Sequence, residues 1–153
     1  MTPEEIRAAI KARPDLAGIT SSEVLAAALS VGRTAVKPRT MVSARGLAEH
    51  LGPMAAEVVL MKLEAARDAM LASPDQQQQV LGSLLRRQLR FLESDGLDFS
   101  APALRSMLDQ FVALNILSAD EVEALKRIAL VPDPVTEYEV RVALWHDDGT
   151  PRS

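Results

Sequence analysis

The chain offers few residues whose type and spacing suit catalysis. It has no cysteine, so disulfides, thiolate metal sites and cysteine nucleophiles are all excluded. Its two histidines are His50 and His146. His50 stands just before Gly52, where a cationic side chain suits a helix C-terminus, and no Asp or Ser lies at a spacing that would orient its ring as a base. His146-Asp147-Asp148 has the composition of a hard-metal site. Neighbouring residues on an extended chain point to opposite faces, however, so this run reads as solvated turn charge. The glycines show neither G-x-G-x-x-G nor Walker spacing, and the acidic residues that stand out belong to helix caps. No catalytic residue, metal ligand or cofactor is expected, and the chain reads as a non-enzyme.

Residues suited to binding are easier to find. Tyr138 and Trp145 are the only Tyr and the only Trp, and with Arg141 between them they form the candidate interaction segment. Tyr and Trp are the types most enriched in binding hot spots, because they bury large area at low entropic cost and keep one polar group to satisfy. The competing reading is that Trp145 closes the core. Arg86, Arg87 and Arg90 form a candidate basic patch, against the plainer reading of a solvated helix face bridged to Glu93. Residues 43–60 have the outline of a helix-turn-helix. Yet the second helix would begin Pro53-Met-Ala-Ala-Glu, with no donor to read bases and a carboxylate to repel phosphate. The net charge of −4 also makes nucleic acid an unlikely partner.

The elements that must position these residues announce themselves through their caps. Thr2–Glu5, Thr20–Glu23 and Ser118–Glu121 each place a hydroxyl three residues before a glutamate. In that spacing side chain and backbone satisfy each other reciprocally at a helix start. Ile19 with Val24, and Leu117 with Val122, add the apolar staple that accompanies such boxes. Seven helical segments follow: about 3–12, 21–31, 43–51, 53–71, one from Ser73-Pro74 to Asp95, one centred on 104–112, and 118–131. The fourth is apolar almost all round, which predicts the buried centre of a bundle. Leu104, Met107, Leu108, Phe111 and Val112 follow helical spacing without a miss and predict a core stripe.

Two segments read as extended. Residues 33–42 carry β-branched side chains around Pro38. From Tyr138 the chain alternates, with Val140, Val142 and Leu144 on one face of a strand. Strands near 33–42 and 136–146 are therefore expected to pair as a small two-stranded antiparallel ribbon. The fold class is mainly α, a compact bundle of six to seven helices with that ribbon. It forms one domain over 1–148, followed by a loose tail at 149–153. Removing 135–153 is then expected to leave a helical protein that has lost its contact surface.

Composition agrees with a globular chain: 153 residues, 48% hydrophobic, 25% charged and only 3% aromatic, so Leu, Ala, Val and Met must build the core. No apolar run approaches the roughly 20 residues of a membrane span, so no membrane partner is expected. The opening MTPEEIRAAIKARPD reads as a capped helix rather than a signal peptide. TPEEIRAAIKARPDL, ALSVGRT and NILSADEVEALKRIALVPDPVTEYEVRVALWHDDG together resemble a group of small uncharacterised proteins encoded by tailed bacteriophages and prophages of proteobacteria. LSVGRT and VPDPVTEYEVR are the most specific stretches. The resemblance implies a phage accessory or structural role, in virion or tail assembly, through contact with a phage structural protein or with itself. It places the protein in the bacterial host cytoplasm or in the virion. The alternative function is a small helix-turn-helix-like DNA-binding regulator.

Overall fold

Eight α-helices form among the described residues, 1–152, of this computed structural model. They are α1 (Pro3–Lys11), α2 (Ser22–Ser30), α3 (Ala44–Leu51), α4 (Pro53–Leu71), α5 (Gln76–Glu93), α6 (Pro102–Ala113), α7 (Ala119–Arg127) and α8 (Glu137–Leu144). Four short strands accompany them: β1 (Thr34–Val36), β2 (Met41–Val42), β3 (Leu97–Asp98) and β4 (Leu130–Pro132). The protein is mainly α with small β ribbons, as its composition predicts.

Capping explains most boundaries. Thr2 and Ser118 open α1 and α7 with complete capping boxes. Ser43 accepts from Gly46 N–H at 3.2 Å to start α3. Gly52, at φ +89°, ends that helix and leads directly into Pro53 at the head of α4. At α2 the cap is Ser21 rather than Thr20, accepting from Val24 N–H at 3.3 Å. Glu23 then falls at the second helical position, where it faces the positive end of the helix but forms no box. The α7 helix stops at Arg127 rather than near Val131, because the chain enters β4.

The largest correction concerns residues 136–146, whose centre, Glu137–Leu144, is helix α8 and not a strand. Thr136 Oγ1 accepts from Glu139 N–H at 3.1 Å, and Thr136 N–H donates to Glu139 Oε2 at 3.0 Å. This is a capping box with the same spacing as Thr2–Glu5, and it sets the helix against the β-branched alternation that follows it. The buried positions are Val140 and Ala143, at 0% exposure each, which is helical spacing. With its own donors satisfied inside a helix, the segment has none to offer residues 33–42. Those residues pair elsewhere: β1 with β4, and β2 antiparallel to β3 in the register Met41 to Asp98 and Val42 to Leu97. Residues 149–152 are also not a loose tail. Arg152 N–H donates to Leu144 O at 2.6 Å, and Asp148 Oδ1 accepts from the Thr150 amide at 3.0 Å and hydroxyl at 2.6 Å.

Where one domain is expected, the chain gathers into two compact units, divided within β1 and β4. Unit 1 consists of Met1–Ala35 and Val131–Ser153, and unit 2 of Val36–Leu130. In unit 1, α1, α2 and α8 bury Ile6, Leu16, Leu25, Ala26, Leu29, Val135, Val140 and Ala143. Unit 2 buries a larger set from β2, α3, α4, α5, α6 and α7, including Leu47, Val59, Leu85, Leu108 and Phe111. Gly82 lets α5 lie close on α4, since a Cβ there would meet Met70 Cβ at 2.8 Å and Leu71 N at 2.9 Å. Within unit 2, α4 is not the buried centre of a bundle. Ala56, Val59 and Leu63 face the core, whereas Met54, Val58 and Met61 are exposed at 81%, 44% and 59%.

Candidate functional site

Helix α8 does bring the candidate interaction residues together, and for a reason opposite to the expected one. On a strand Tyr138 and Arg141 would point to opposite faces. On the helix, positions 138 and 141 share one side, and Trp145 follows as the extended residue that ends it. All three line a single open groove of about 490 Å³ in unit 1, together with Thr20, Ser22 and His146. The opposite side of the same helix carries Val140 and Ala143 into the core. Tyr138 is 75% exposed. Trp145 is half-buried: it packs against the unit 1 core, as the core reading has it, and also lines the groove.

Ser22 and Arg141 of the groove lining close a polar triangle with Glu137. Ser22 Oγ donates to Glu137 Oε1 at 2.8 Å, Arg141 Nε donates to Ser22 Oγ at 3.3 Å, and Arg141 Nη2 is ion-paired with Glu137. The Ser22 hydroxyl, then the Arg141 charge, hold the Glu137 carboxyl below its ordinary range against a small opposing effect of burial. A carboxylate stabilised in this way is a weaker base than a free one. The triangle fastens α8 to α2 rather than activating the serine. Trp145 is fixed from behind: its carbonyl accepts from Arg152 Nε at 2.9 Å and its backbone bridges to Pro151. His146 is exposed, with its backbone N–H given to Thr150 O at 2.7 Å. Asp148 is occupied by Thr150, whose hydroxyl and amide keep its carboxyl below the ordinary range.

Elsewhere in unit 1 the stretches LSVGRT and VPDPVTEYEVR meet. Arg33 Nη2 and Asp133 Oδ2 form an ion pair at 2.6 Å, and Asp133 N–H donates to Arg33 O at 3.0 Å. Ser30 Oγ accepts from Val135 N–H at 2.8 Å. Both stretches therefore stitch unit 1 together across a wide sequence separation, which no local spacing could show.

In unit 2, Arg86, Arg87 and Arg90 lie on the exposed side of α5. No bridge to Glu93 forms; Arg86 reaches only Ser83 Oγ at 3.4 Å, and Arg87 and Arg90 have no ion-pair partner among the described residues. In the segment 43–60 a single glycine separates α3 from α4, where a DNA-reading pair uses a turn of about 3–4 residues. The exposed start of α4 presents Met54, Glu57 and Val58, which is poor chemistry for a groove of bases. Among the described residues no helix is long and apolar enough to cross a membrane, and no three His, Asp or Glu are grouped to hold a metal ion. No family model, curated protein or solved structure matches the chain.

Proposed function

We propose that the protein is a non-enzymatic accessory or structural protein of a tailed bacteriophage or prophage, acting by protein–protein contact through the outer face of α8. The observation that carries this reading is the groove itself. Tyr138, Arg141 and Trp145 line one open surface, on a helix whose opposite face is anchored in the core. A rigid backing with exposed Tyr, Trp and Arg is the arrangement from which binding hot spots are built. The phage assignment rests on the sequence resemblance; the groove supports the contact role. The protein acts in the host cytoplasm during assembly or is carried into the particle.

Mass spectrometry of purified particles, set beside complexes isolated from the producing cells, tests the reading. The wild-type chain is expected in particles or bound to a particle protein, and Tyr138→Ala is expected to be folded but missing from both. Absence of the wild-type chain from particles and from every complex with a particle protein contradicts it.

A further inference from the structure

Two helices of unit 2 each carry an outward seam that the core does not use. On α4 it is Met54, Val58, Met61 and Ala65, all exposed. On α5 it is Val80, Leu84, Arg87 and Phe91, also exposed, with Val80 at 61% and Phe91 at 49%. Both seams follow the alternating four- and three-residue spacing that keeps side chains on one helix stripe, the spacing by which helices pack along a shared seam. Each spans the same number of residues, about 16 Å of helix. Leaving such side chains in water forgoes the stabilisation their burial would provide.

The two stripes differ in charge. Glu57 and Glu64 flank the α4 seam and are exposed, with no ion pair or side-chain hydrogen bond among the described residues. The cations near that helix are committed elsewhere: Lys62 lies on the other flank and is bound to Glu121 at 2.6 Å, and Arg67 is bound to Asp68 at 2.9 Å. On α5 the flank carries Arg86 and Arg90, and Arg87 stands in the seam itself. Packing α5 on α5 would crowd arginines together, and packing α4 on α4 would face glutamates with glutamates. Only α4 against α5 matches opposite charges around an apolar centre.

We propose that this protein associates with a second copy of itself by docking the α4 seam of one copy on the α5 seam of another, with Glu57 and Glu64 facing Arg87 and Arg90. The inference stands on unit 2 alone and uses none of the α8 groove. Because one chain carries both halves, the contact is heterologous. It closes into a ring or pair when the rotation permits, and extends into a row when it does not.

Charge reversal tests it in the full-length protein, by sedimentation velocity across concentration, with circular dichroism as the check on folding. Wild type is expected to self-associate with rising concentration, less so as salt screens the rim charges. Arg87→Glu/Arg90→Glu and Glu57→Lys/Glu64→Lys are each expected to be folded and monomeric at concentrations where wild type associates. A one-to-one mixture of the two is expected to associate again, since each variant now complements the other. A wild-type chain that stays monomeric throughout overturns the proposal. So do two variants that each associate as wild type does, or a mixture that remains monomeric.

Discussion

Unit 1 is closed by two pieces of chain far apart in sequence, whereas unit 2 is one continuous stretch, and the arginines record the difference. In unit 1, Arg7 donates to Ala143 O, Arg13 pairs with Asp15, Arg33 with Asp133 and Arg141 with Glu137, and Arg152 holds Trp145 O. Each one helps fasten a small core. In unit 2 a larger core carries the fold, and Arg87 and Arg90 are left without ion-pair partners. Unit 2 also fastens itself with charge, through Arg67 with Asp68, Arg127 with Glu123 and Arg105 on the Phe99 and Lys126 carbonyls, but Arg87 and Arg90 stand outside that set.

The same contrast predicts unequal dependence between the units. Unit 2 holds its own ends together, with Lys37 N–H donating to Ala129 O at 2.7 Å. Unit 1 therefore closes over a short gap while unit 2 is folded, and over a long loop when it is not. The largest expected effect comes from Gly96, at φ +95°, where a Cβ would lie 2.7 Å from Val42 C and 2.8 Å from Val42 O. Gly96→Ala combines left-handed strain with a backbone clash and should cost about 3 kcal/mol or more. Denaturant unfolding is expected to show unit 2 lost and unit 1 weakened with it. A midpoint unchanged from wild type would mean that this turn relaxes freely.

Deleting residues 135–153 is the converse break. It removes Val135, Val140 and Ala143, three of the eight buried residues of unit 1, so the expectation of an intact truncated protein is reversed. Circular dichroism should show partial loss of helix, and hydrogen exchange should show protection kept in α4 and α5 but lost in α1 and α2. Retention of protection in α1 and α2 would show that α8 is dispensable.

A smaller effect follows from pH. The Glu137 carboxyl is held below its ordinary value in the folded chain, first by Ser22 and then by Arg141, so ionisation favours the folded state. Its contribution is complete at neutral pH and is lost as pH falls into and below the carboxylate range. Glu137→Gln should therefore lower the melting temperature slightly at pH 7, and the gap to wild type should close by pH 3. The pair is partly exposed, so the gap is small. A gap that widens in acid would reverse the assigned sign.

How much of this was legible in the chain depends on the range of the interaction concerned. Thr2, Ser43 and Ser118 cap their helices as local spacing predicts, and Leu108 and Phe111 are buried as the amphipathic stripe requires. Thr136–Glu139 carries the same signal, but Val140, Val142 and Leu144 imitate strand alternation. The small Ala143 hid the helical spacing of the buried face. Which side of α4 meets the core was not legible, because the helix is apolar on both sides. The partners of β1 and β2 were beyond reach as well, since β3 and β4 have only two and three residues and no pattern of their own. Tyr138, Arg141 and Trp145 stand out in the chain by residue type, but their place on one groove depends on α8 being a helix, which the strand-like alternation concealed.

The most direct measurement places a photo-crosslinking residue at position 138 in the full-length chain and, on the phage reading proposed above, irradiates the producing cells, with thermal melting as the companion reading. Substitution at a 75% exposed position should move stability by no more than about 0.5 kcal/mol. The expected result is an unchanged melting temperature and an adduct, identified by mass spectrometry, with one particle protein. A folded protein that forms no protein adduct, or one that crosslinks to nucleic acid instead, would contradict a contact role for the α8 face.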